Sequence, residues 1–244
     1  MSDFVFAPPA PVSLPIAGSA QRFPVARVFC IGRNYRWQAG EPAPTAMPAW
    51  FMKPASALAP ADGTLPYPPG TTDFCHEIEL VVALGQGGRD LDPAQVLAHH
   101  VWGYAAGLDL TRRDLQQAAK RAGGPWEPAK AFDHSAPCSA VVPAAAAGHA
   151  RTGAIWLTVN GAERQRADIG DLLWSVPELV AMLSRSVRLA AGDLIFTGTP
   201  AGVAPLVPED VVRAGIAGLG ELSLVVGAAP VGAAPVGAAP AGTA

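Results

Sequence analysis

The stretch that decides the fold is HEIELVVAL, at residues 76–84. It alternates polar and apolar residues at its start and then becomes continuously apolar, a pattern that predicts a strand buried along much of its length. In such a strand Glu77 and Glu79 point to one face, and Ile78 and Leu80 point to the other. Because buried like charges are costly without a partner, the two carboxylates are expected to share a proton or hold a cation. The alternative is an alternating strand whose glutamates are merely solvated.

A third carboxylate follows a second apolar segment. Residues 102–110 are predicted to form a strand, and Thr111 is a plausible N-cap for a helix over RRDLQQAAKRA that stops at Gly123. Asp109 is therefore expected at a strand-to-helix junction. Three carboxylates with open positions around them suit Mg²⁺, which keeps water or substrate oxygens in its coordination shell.

Three further sequence features each allow more than one interpretation. Cys75 and His76 suggest zinc, but neighbouring strand residues point to opposite faces and no second Cys/His pair stands nearby. Lys130, within EPAKAFDHSAP, either presents an ammonium group to an anionic substrate or is an ordinary surface lysine. The segment TGTPAG (197–202) offers hydroxyl and backbone N–H donors for a carboxylate, and an ordinary turn is the alternative.

The remaining elements are predicted to be short. Strands are expected at residues 25–31 and 50–53, and in the segments AIWLTVNG, GDLIFTGTP and GELSLVV. A short helix begins near Asp92 with Pro93 at its first position, and Ser175 with Glu178 forms a capping box for another. The 26 glycines and 25 prolines favour many turns and few long helices. These patterns predict an α+β fold in which β-structure dominates.

Composition excludes several classes of protein. The 244 residues are 50% hydrophobic and 15% charged, which favours one folded domain over disorder. A formal net charge of -3 gives no global positive field for nucleic acid. Three scattered cysteines argue against a disulfide framework, and the start of the chain lacks a signal-peptide pattern. Gly and Pro interrupt the longest uncharged stretch, at 222–244, so we expect no membrane span. The cysteine content and the missing signal pattern predict a cytoplasmic protein.

The two ends of the chain differ in composition from the middle. Residues 1–21 contain APPAPVSLP and are expected to be an extended N-terminal segment. Residues 227–244 carry VGAAP repeats with no charge or aromatic side chain, so a flexible low-complexity tail is expected. The folded domain is therefore predicted to span residues 22–226.

Seven motifs together carry a family resemblance. They are GRNY (32–35), FMKP (51–54), HEIEL (76–80), GLDLTRRDLQ (107–116), KAFDHSAP (130–137), WLTVNG (156–161) and GDLIFTGTPAGV (192–203). In this order they resemble the fumarylacetoacetate hydrolase superfamily, and among its members the small acylpyruvate and fumarylpyruvate hydrolases. The resemblance implies a mixed β-sheet roll with short helices, and usually a homodimer.

The resemblance also implies an activity. A small 2-oxo acid, an acylpyruvate, would be cleaved at a carbon–carbon bond in aromatic-compound breakdown, with Mg²⁺ or Mn²⁺ as cofactor. It assigns residues to three roles: metal ligands Glu77, Glu79 and Asp109; catalytic residues Lys130, Gln116, Glu41 and Gln38; and substrate-binding residues Arg33, Tyr35, Lys53, Arg113 and Thr199.

One motif departs from the family pattern. Related sequences carry a His three residues after the Tyr of GRNY and a Glu three residues further, a pair thought to activate the hydrolytic water on a closing lid. Here these positions are Gln38 and Glu41. Because Gln cannot accept a proton as neutral imidazole does, two alternatives stay open. One is an oxaloacetate-type decarboxylase or tautomerase, and the other is a catalytically silent protein that binds a metal and a dicarboxylate.

Overall fold

The computed structural model describes residues 4–36 and 47–230, which form seventeen short strands and five α-helices. The strands are β1 (Ser13–Pro15), β2 (Arg22–Pro24), β3 (Arg27–Ile31), β4 (Trp50–Lys53), β5 (Leu58–Ala59), β6 (Asp62–Leu65), β7 (Phe74–Cys75), β8 (Ile78–Leu84), β9 (Val101–Leu108), β10 (Thr111–Arg112), β11 (Ala136–Pro137), β12 (Val142–Pro143), β13 (Ala154–Val159), β14 (Ala162–Asp168), β15 (Asp193–Phe196), β16 (Val211–Ile216) and β17 (Gly220–Val226). The helices are α1 (Pro93–His99), α2 (Arg113–Ala122), α3 (Glu127–Lys130), α4 (Ala144–Ala147) and α5 (Val176–Ser186). The predicted β-dominated α+β class is confirmed.

A six-stranded mixed sheet forms the centre of the fold, in the order β12-β9-β8-β15-β3-β4. All seven residues of β8 are buried, as its continuous apolar run predicts. β8 pairs with β9 in antiparallel register, so that Glu79 lies opposite Gly107. β15 is antiparallel to β8 and parallel to β3. The sheet therefore places the start of β8 beside the end of β9.

A five-stranded sheet, in the order β14-β13-β16-β17-β6, packs against the first. Burial alternates along β13 and β17, which shows that each strand has one core face and one outer face. β13 and β16 contact β8, and β16 and β17 contact β9. A single apolar cluster therefore joins the two sheets, with members such as Leu80, Leu108 and Leu157.

Two helices follow the predicted capping chemistry. Asp92 caps α1 by accepting from Ala94 N, with Pro93 at the first helical position. Ser175 and Glu178 form the predicted capping box at the start of α5. At eleven residues, α5 is the longest α-helix in the described parts of the chain, where no helix is long and apolar enough to cross a membrane.

The predicted start of α2 is wrong. Thr111 is not its N-cap, because Thr111 and Arg112 form β10, which pairs with β7, and the helix begins at Arg113. The Thr111 hydroxyl instead lies 3.2 Å from Glu77 Oε1 and from the Asp109 carbonyl oxygen. The predicted end is confirmed, since Gly123 adopts a left-handed conformation with φ of 63°.

The folded body also begins before the predicted boundary at residue 22. β1 pairs with β2, and Leu14 is buried in a second apolar cluster together with Phe23 and Val28. Residues 1–21 therefore contain a packed strand, because the alternation around Leu14 supplies one core side chain. β17 ends at Val226, and residues 231–244 of the predicted tail lie outside the described residues.

Candidate active site and metal centre

Three carboxylates converge where β8 begins and β9 ends. One ligand oxygen from each of Glu77, Glu79 and Asp109 lies within 4.8 Å of the others, and the side chains form the acidic cluster of this site. Glu79 lies within β8, whereas Glu77 precedes it and accepts a backbone hydrogen bond from Asp109 N at 2.9 Å. The antiparallel pairing of β8 with β9 thus continues one residue pair beyond the two strands. As predicted, the two glutamates share one face, and the residues are only 7%, 1% and 1% exposed.

Two buried lysines contact the acidic cluster. Lys130 Nζ lies 2.9 Å from Glu77 Oε2 and 2.7 Å from Asp109 Oδ2. Lys53 Nζ lies 2.9 Å from Asp109 Oδ1 and also donates to the carbonyl oxygens of Leu110 and Lys130. Burial alone would lower the pKa of Lys130, but the Asp109 and Glu77 carboxylates raise it above its ordinary value. Both lysines are buried, so Lys130 is not the ordinary surface lysine that the sequence left as an alternative.

The three carboxylates differ in how well the protein stabilises their charge. Burial raises the pKa of Asp109, but the Lys130 and Lys53 ammonium groups outweigh it and hold that pKa below its usual value. Burial and the charges of Asp109 and Glu77 raise the pKa of Glu79 well above its usual value. The Gly198 N–H donates to Glu79 Oε2 at 2.7 Å. The cluster therefore has a carboxylate that a further cation would stabilise.

A cavity of about 900 Å³ opens above the acidic cluster. Its wall combines cationic and amide side chains with apolar residues. Sequence-predicted site residues in the wall, besides the acidic cluster, are Arg33, Arg113, Gln116, Lys130 and Thr199. Other lining residues include Phe51, Cys75, Gln117, Lys120 and Trp126. Opposite charges in one concave site suit an anionic ligand that also contacts a metal.

The N-terminal turn of α2 connects the cavity wall to the acidic cluster. Arg113 Nη2 lies 2.6 Å from Glu77 Oε1, and Arg113 Nη1 donates to Gln116 Oε1 at 2.6 Å. Gln116 is the one buried residue of this helix. The guanidinium group thus fixes both the carboxylate and the orientation of the Gln116 amide.

The sequence did not single out Gln165, which connects several parts of the site. Its Oε1 lies 3.0 Å from His76 Nδ1 and accepts from Ile78 N at 3.2 Å. Its Nε2 donates to Thr199 Oγ1 at 2.9 Å, and that hydroxyl donates to the Ile78 carbonyl at 2.8 Å. Gln165 is the one buried residue of β14, so a polar residue in a core position was the available signal.

The zinc alternative does not match the arrangement of Cys75 and His76. Neither residue belongs to the acidic cluster. The His76 ring is held by Gln165, and burial lowers the pKa of His76. Cys75 Sγ lies 3.2 Å from Asp73 Oδ1, and burial raises the pKa of that thiol to about 12. The cavity therefore offers a metal hard oxygen ligands rather than a thiolate.

The GRNY motif is anchored beside the site. Asn34 Nδ2 donates to the carbonyl oxygens of Thr197 and Trp174, and Trp174 N donates to Asn34 Oδ1.

Tyr35 is buried, its hydroxyl has no hydrogen-bond partner among the described residues, and burial raises its pKa. Tyr35 and Lys53 do not line the cavity, unlike Arg33. Gln38 and Glu41 lie outside the described residues.

Comparison with known proteins agrees with this geometry. Residues 27–226 match the family described as fumarylacetoacetate (FAA) hydrolase C-terminal. A fumarylpyruvate hydrolase from Ralstonia sp. is 41% identical over 181 residues, covering 74% of this chain and 93% of the relative. A mitochondrial oxaloacetate tautomerase from Mus musculus is 38% identical over 194 residues, covering 79% and 87%. The crystal structure of fumarylpyruvate hydrolase from Pseudomonas aeruginosa in complex with Mn²⁺ and pyruvate superposes with a TM-score of 0.88 at 49% identity, covering 93% of this chain and 100% of that chain.

Proposed function

The chain belongs to the fumarylacetoacetate hydrolase family, and from this membership we propose that it is a metal-dependent hydrolase of fumarylpyruvate-like acylpyruvates. The observation that carries the proposal is the buried acidic cluster beneath a cavity whose wall is cationic. Similarity to two fumarylpyruvate hydrolases supports the substrate class. The products would be pyruvate and a carboxylic acid.

The acidic cluster fits a divalent cation. Glu77, Glu79 and Asp109 supply three hard oxygen ligands, and Glu79 has no ammonium partner within ion-pair distance among the described residues. Carboxylate oxygens suit Mg²⁺ and Mn²⁺. When bound, the ion supplies a Lewis acid that stabilises negative charge on the 2-oxo group. The Mn²⁺ in the related Pseudomonas aeruginosa structure supports this choice of ion.

Residues of the chain then bind and orient the substrate. The proposed reaction adds water to the acyl carbonyl carbon and breaks the bond from that carbon to the neighbouring methylene. The methylene takes up a proton to give pyruvate, and the acyl group leaves as a carboxylate. Arg113 and Gln116 face this reaction from α2 and present fixed donors to the 2-oxo acid end.

Lys130 is proposed to hold a proton at the reacting end. Its ammonium group lines the cavity between two members of the acidic cluster, and those carboxylates raise its pKa. A fixed ammonium group stabilises negative charge that develops on the leaving carbon and oxygen atoms. Lys53 acts behind it as a positioning residue, since it contacts Asp109 and the Lys130 carbonyl oxygen.

Glu41 and Gln38 remain proposed catalytic residues on the basis of the sequence. Glu41 has a carboxylate that can accept a proton from water, whereas the Gln38 amide can only donate and accept hydrogen bonds. Arg33 and Thr199 are proposed to bind substrate, and Tyr35, which does not line the cavity, is proposed to support its wall. The family resemblance supports these assignments and that of Glu41, whereas Gln38 stands where related sequences carry His.

A second activity has its own support. The Mus musculus oxaloacetate tautomerase is nearly as similar in sequence as the Ralstonia enzyme. Tautomerisation or decarboxylation of an oxaloacetate-like acid uses the metal and Lys130 but needs no activated water. The Gln at position 38 is compatible with such chemistry. This reaction is therefore the alternative to hydrolysis.

A substrate panel with Mg²⁺ or Mn²⁺ separates the two activities. Hydrolysis is expected to consume the ultraviolet absorbance of fumarylpyruvate and to release one pyruvate for each substrate lost. The hydrolase proposal would be contradicted if the protein leaves fumarylpyruvate intact and either releases carbon dioxide from oxaloacetate or accelerates its enol-to-keto conversion. Turnover of none of these substrates would favour a metal- and dicarboxylate-binding protein.

The setting of the enzyme is also proposed. The family resemblance supports an enzyme of aromatic-compound breakdown, and the scattered cysteines without a signal-peptide pattern support a cytoplasmic location. The family resemblance supports a homodimer, which light scattering on the purified protein would test.

A further inference from the structure

α2 turns one polar face toward the cavity. Four of the lining residues, Arg113, Gln116, Gln117 and Lys120, follow the spacing i, i+3, i+4 and i+7, which places side chains on one side of a helix. At a rise of 1.5 Å per residue, Lys120 lies about 10 Å along the helix axis from Arg113. The face therefore extends along the cavity wall from Arg113, which contacts the acidic cluster, to Lys120.

The two cations at the ends of this face have different surroundings. Arg113 is bonded to Glu77 and Gln116. Lys120 has no carboxylate within ion-pair distance in the described ranges, and its Nζ lies 5.0 Å from the centre of the Trp126 ring. The Lys120 side chain is exposed, and partial desolvation followed by the nearby charges of Arg113 and Arg33 lowers its pKa. Lys120 is thus a positioned cation beside like charges, where an anion would be favourable.

We propose that Lys120 is a specificity-determining residue that binds the remote carboxylate of a dicarboxylic acylpyruvate. The inference rests on the proposed function, because that function places the 2-oxo acid end of the substrate at the acidic cluster. A chain extending from there along α2 brings its second carboxylate toward Lys120 and Arg33. A substrate with an uncharged acyl group would leave the Lys120 ammonium group to water. Lys120 therefore selects dicarboxylic over monocarboxylic substrates.

A pair of uncleavable ligands tests this inference. 2-Oxoheptanedioate and 2-oxoheptanoate share the 2-oxo acid end and chain length, differ in the remote carboxylate, and lack the carbonyl needed for cleavage. Calorimetry with the Mn²⁺-loaded protein is expected to show a Kd for 2-oxoheptanedioate that is lower than the Kd for 2-oxoheptanoate by about tenfold or more. Lys120→Met should abolish this preference and leave the affinity for 2-oxoheptanoate nearly unchanged, whereas Lys120→Arg should keep most of it.

Arg121→Met is the matched control, because Arg121 is the exposed next residue of α2 and does not line the cavity. It should behave as wild type. The inference is wrong if wild type binds both ligands equally, or if Lys120→Met weakens both equally. A protein that keeps a Lys120-dependent preference but cleaves no acylpyruvate refutes the proposed hydrolysis and supports this inference. A protein that cleaves fumarylpyruvate without the preference does the reverse.

Discussion

At the scale of single residues, the carboxylates of the acidic cluster are unequal. Asp109 has two ammonium partners and Glu77 contacts Lys130 and Arg113, whereas Glu79 accepts one backbone N–H from Gly198. Burial disfavours the charged form of Glu79 and raises its pKa. Glu79 is therefore the ligand whose charge most depends on a bound cation.

Glu79→Gln should remove metal binding without unfolding the protein. The neutral amide keeps an oxygen for the Gly198 N–H and removes a poorly stabilised buried charge. The melting temperature without metal is expected to stay equal or rise, while the increase that Mn²⁺ causes in wild type disappears. Calorimetry should show no Mn²⁺ binding at concentrations that saturate the wild type. Unchanged Mn²⁺ affinity would remove Glu79 from the metal site, and Glu163→Gln, on the exposed end of β14, is the control.

Gln38→His tests the departure from the family pattern. An imidazole at this position can act as the general base that the amide cannot supply, with Glu41 available to orient it. The rate of fumarylpyruvate hydrolysis is expected to rise by about tenfold or more, which corresponds to about 1.4 kcal/mol of activation free energy. If the wild type already hydrolyses fumarylpyruvate rapidly and Gln38→His is slower, another group activates the water.

At the scale of elements, the packing of β8 against β9 depends on a glycine. Gly107 lies opposite Glu79 in the ladder, and a Cβ placed there would lie 2.6 Å from Phe196 Cε1 and 2.7 Å from Val81 Cγ2. These distances are shorter than van der Waals contact. The missing side chain thus lets β15 and β8 pack closely beside the acidic cluster.

Gly107→Ala should lower the free energy of unfolding by about 1–3 kcal/mol, because the added methyl group forces buried neighbours to shift. Denaturant titration of the metal-free protein measures this loss. Gly124→Ala is the matched control, since the nearest atom to a Cβ at that position is Ala119 O at 3.9 Å. Equal stability of the two variants would mean that the ladder around Gly107 can relax without cost.

At the scale of the whole molecule, the limits of the folded body are set by core contacts rather than by composition. The Pro-rich start of the chain contains Leu14, which is 4% exposed and packs with Phe23 and Val28. Val141 N donates to the Pro15 carbonyl oxygen at 2.8 Å. The N-terminal segment is therefore tied to the central sheet through both side chains and backbone.

Leu14→Ala should lower the free energy of unfolding by about 2–5 kcal/mol, as large-to-small changes in a core do. Ending the chain after Val226 should change the melting temperature by no more than about one degree, because the VGAAP repeats offer little apolar surface to bury. Differential scanning calorimetry compares both variants with the full chain. A large loss on removing the repeats would contradict the tail prediction from composition.

The sequence by itself determined the fold class, the buried strand with its paired glutamates, and the capped starts of α1 and α5. These features depend on local signals, which are the alternation of side chains, apolar runs and capping residues. The grouping of Asp109 with Glu77 and Glu79 as metal ligands came from the family resemblance, because the residues alone left open a strand whose glutamates are solvated.

Only the tertiary structure decided how that charge is neutralised and how the site is held. Lys130 reaches Glu77 from 53 positions along the chain, and Gln165 reaches His76 from 89. Thr111, predicted as a cap from its neighbours, instead contacts Glu77. Such contacts depend on strand register and on how the two sheets pack, and a shift of one residue would turn each side chain to the opposite face. The local pattern shows which face each side chain takes but not which distant residue lies beside it, so these partners emerge only when the sheets assemble.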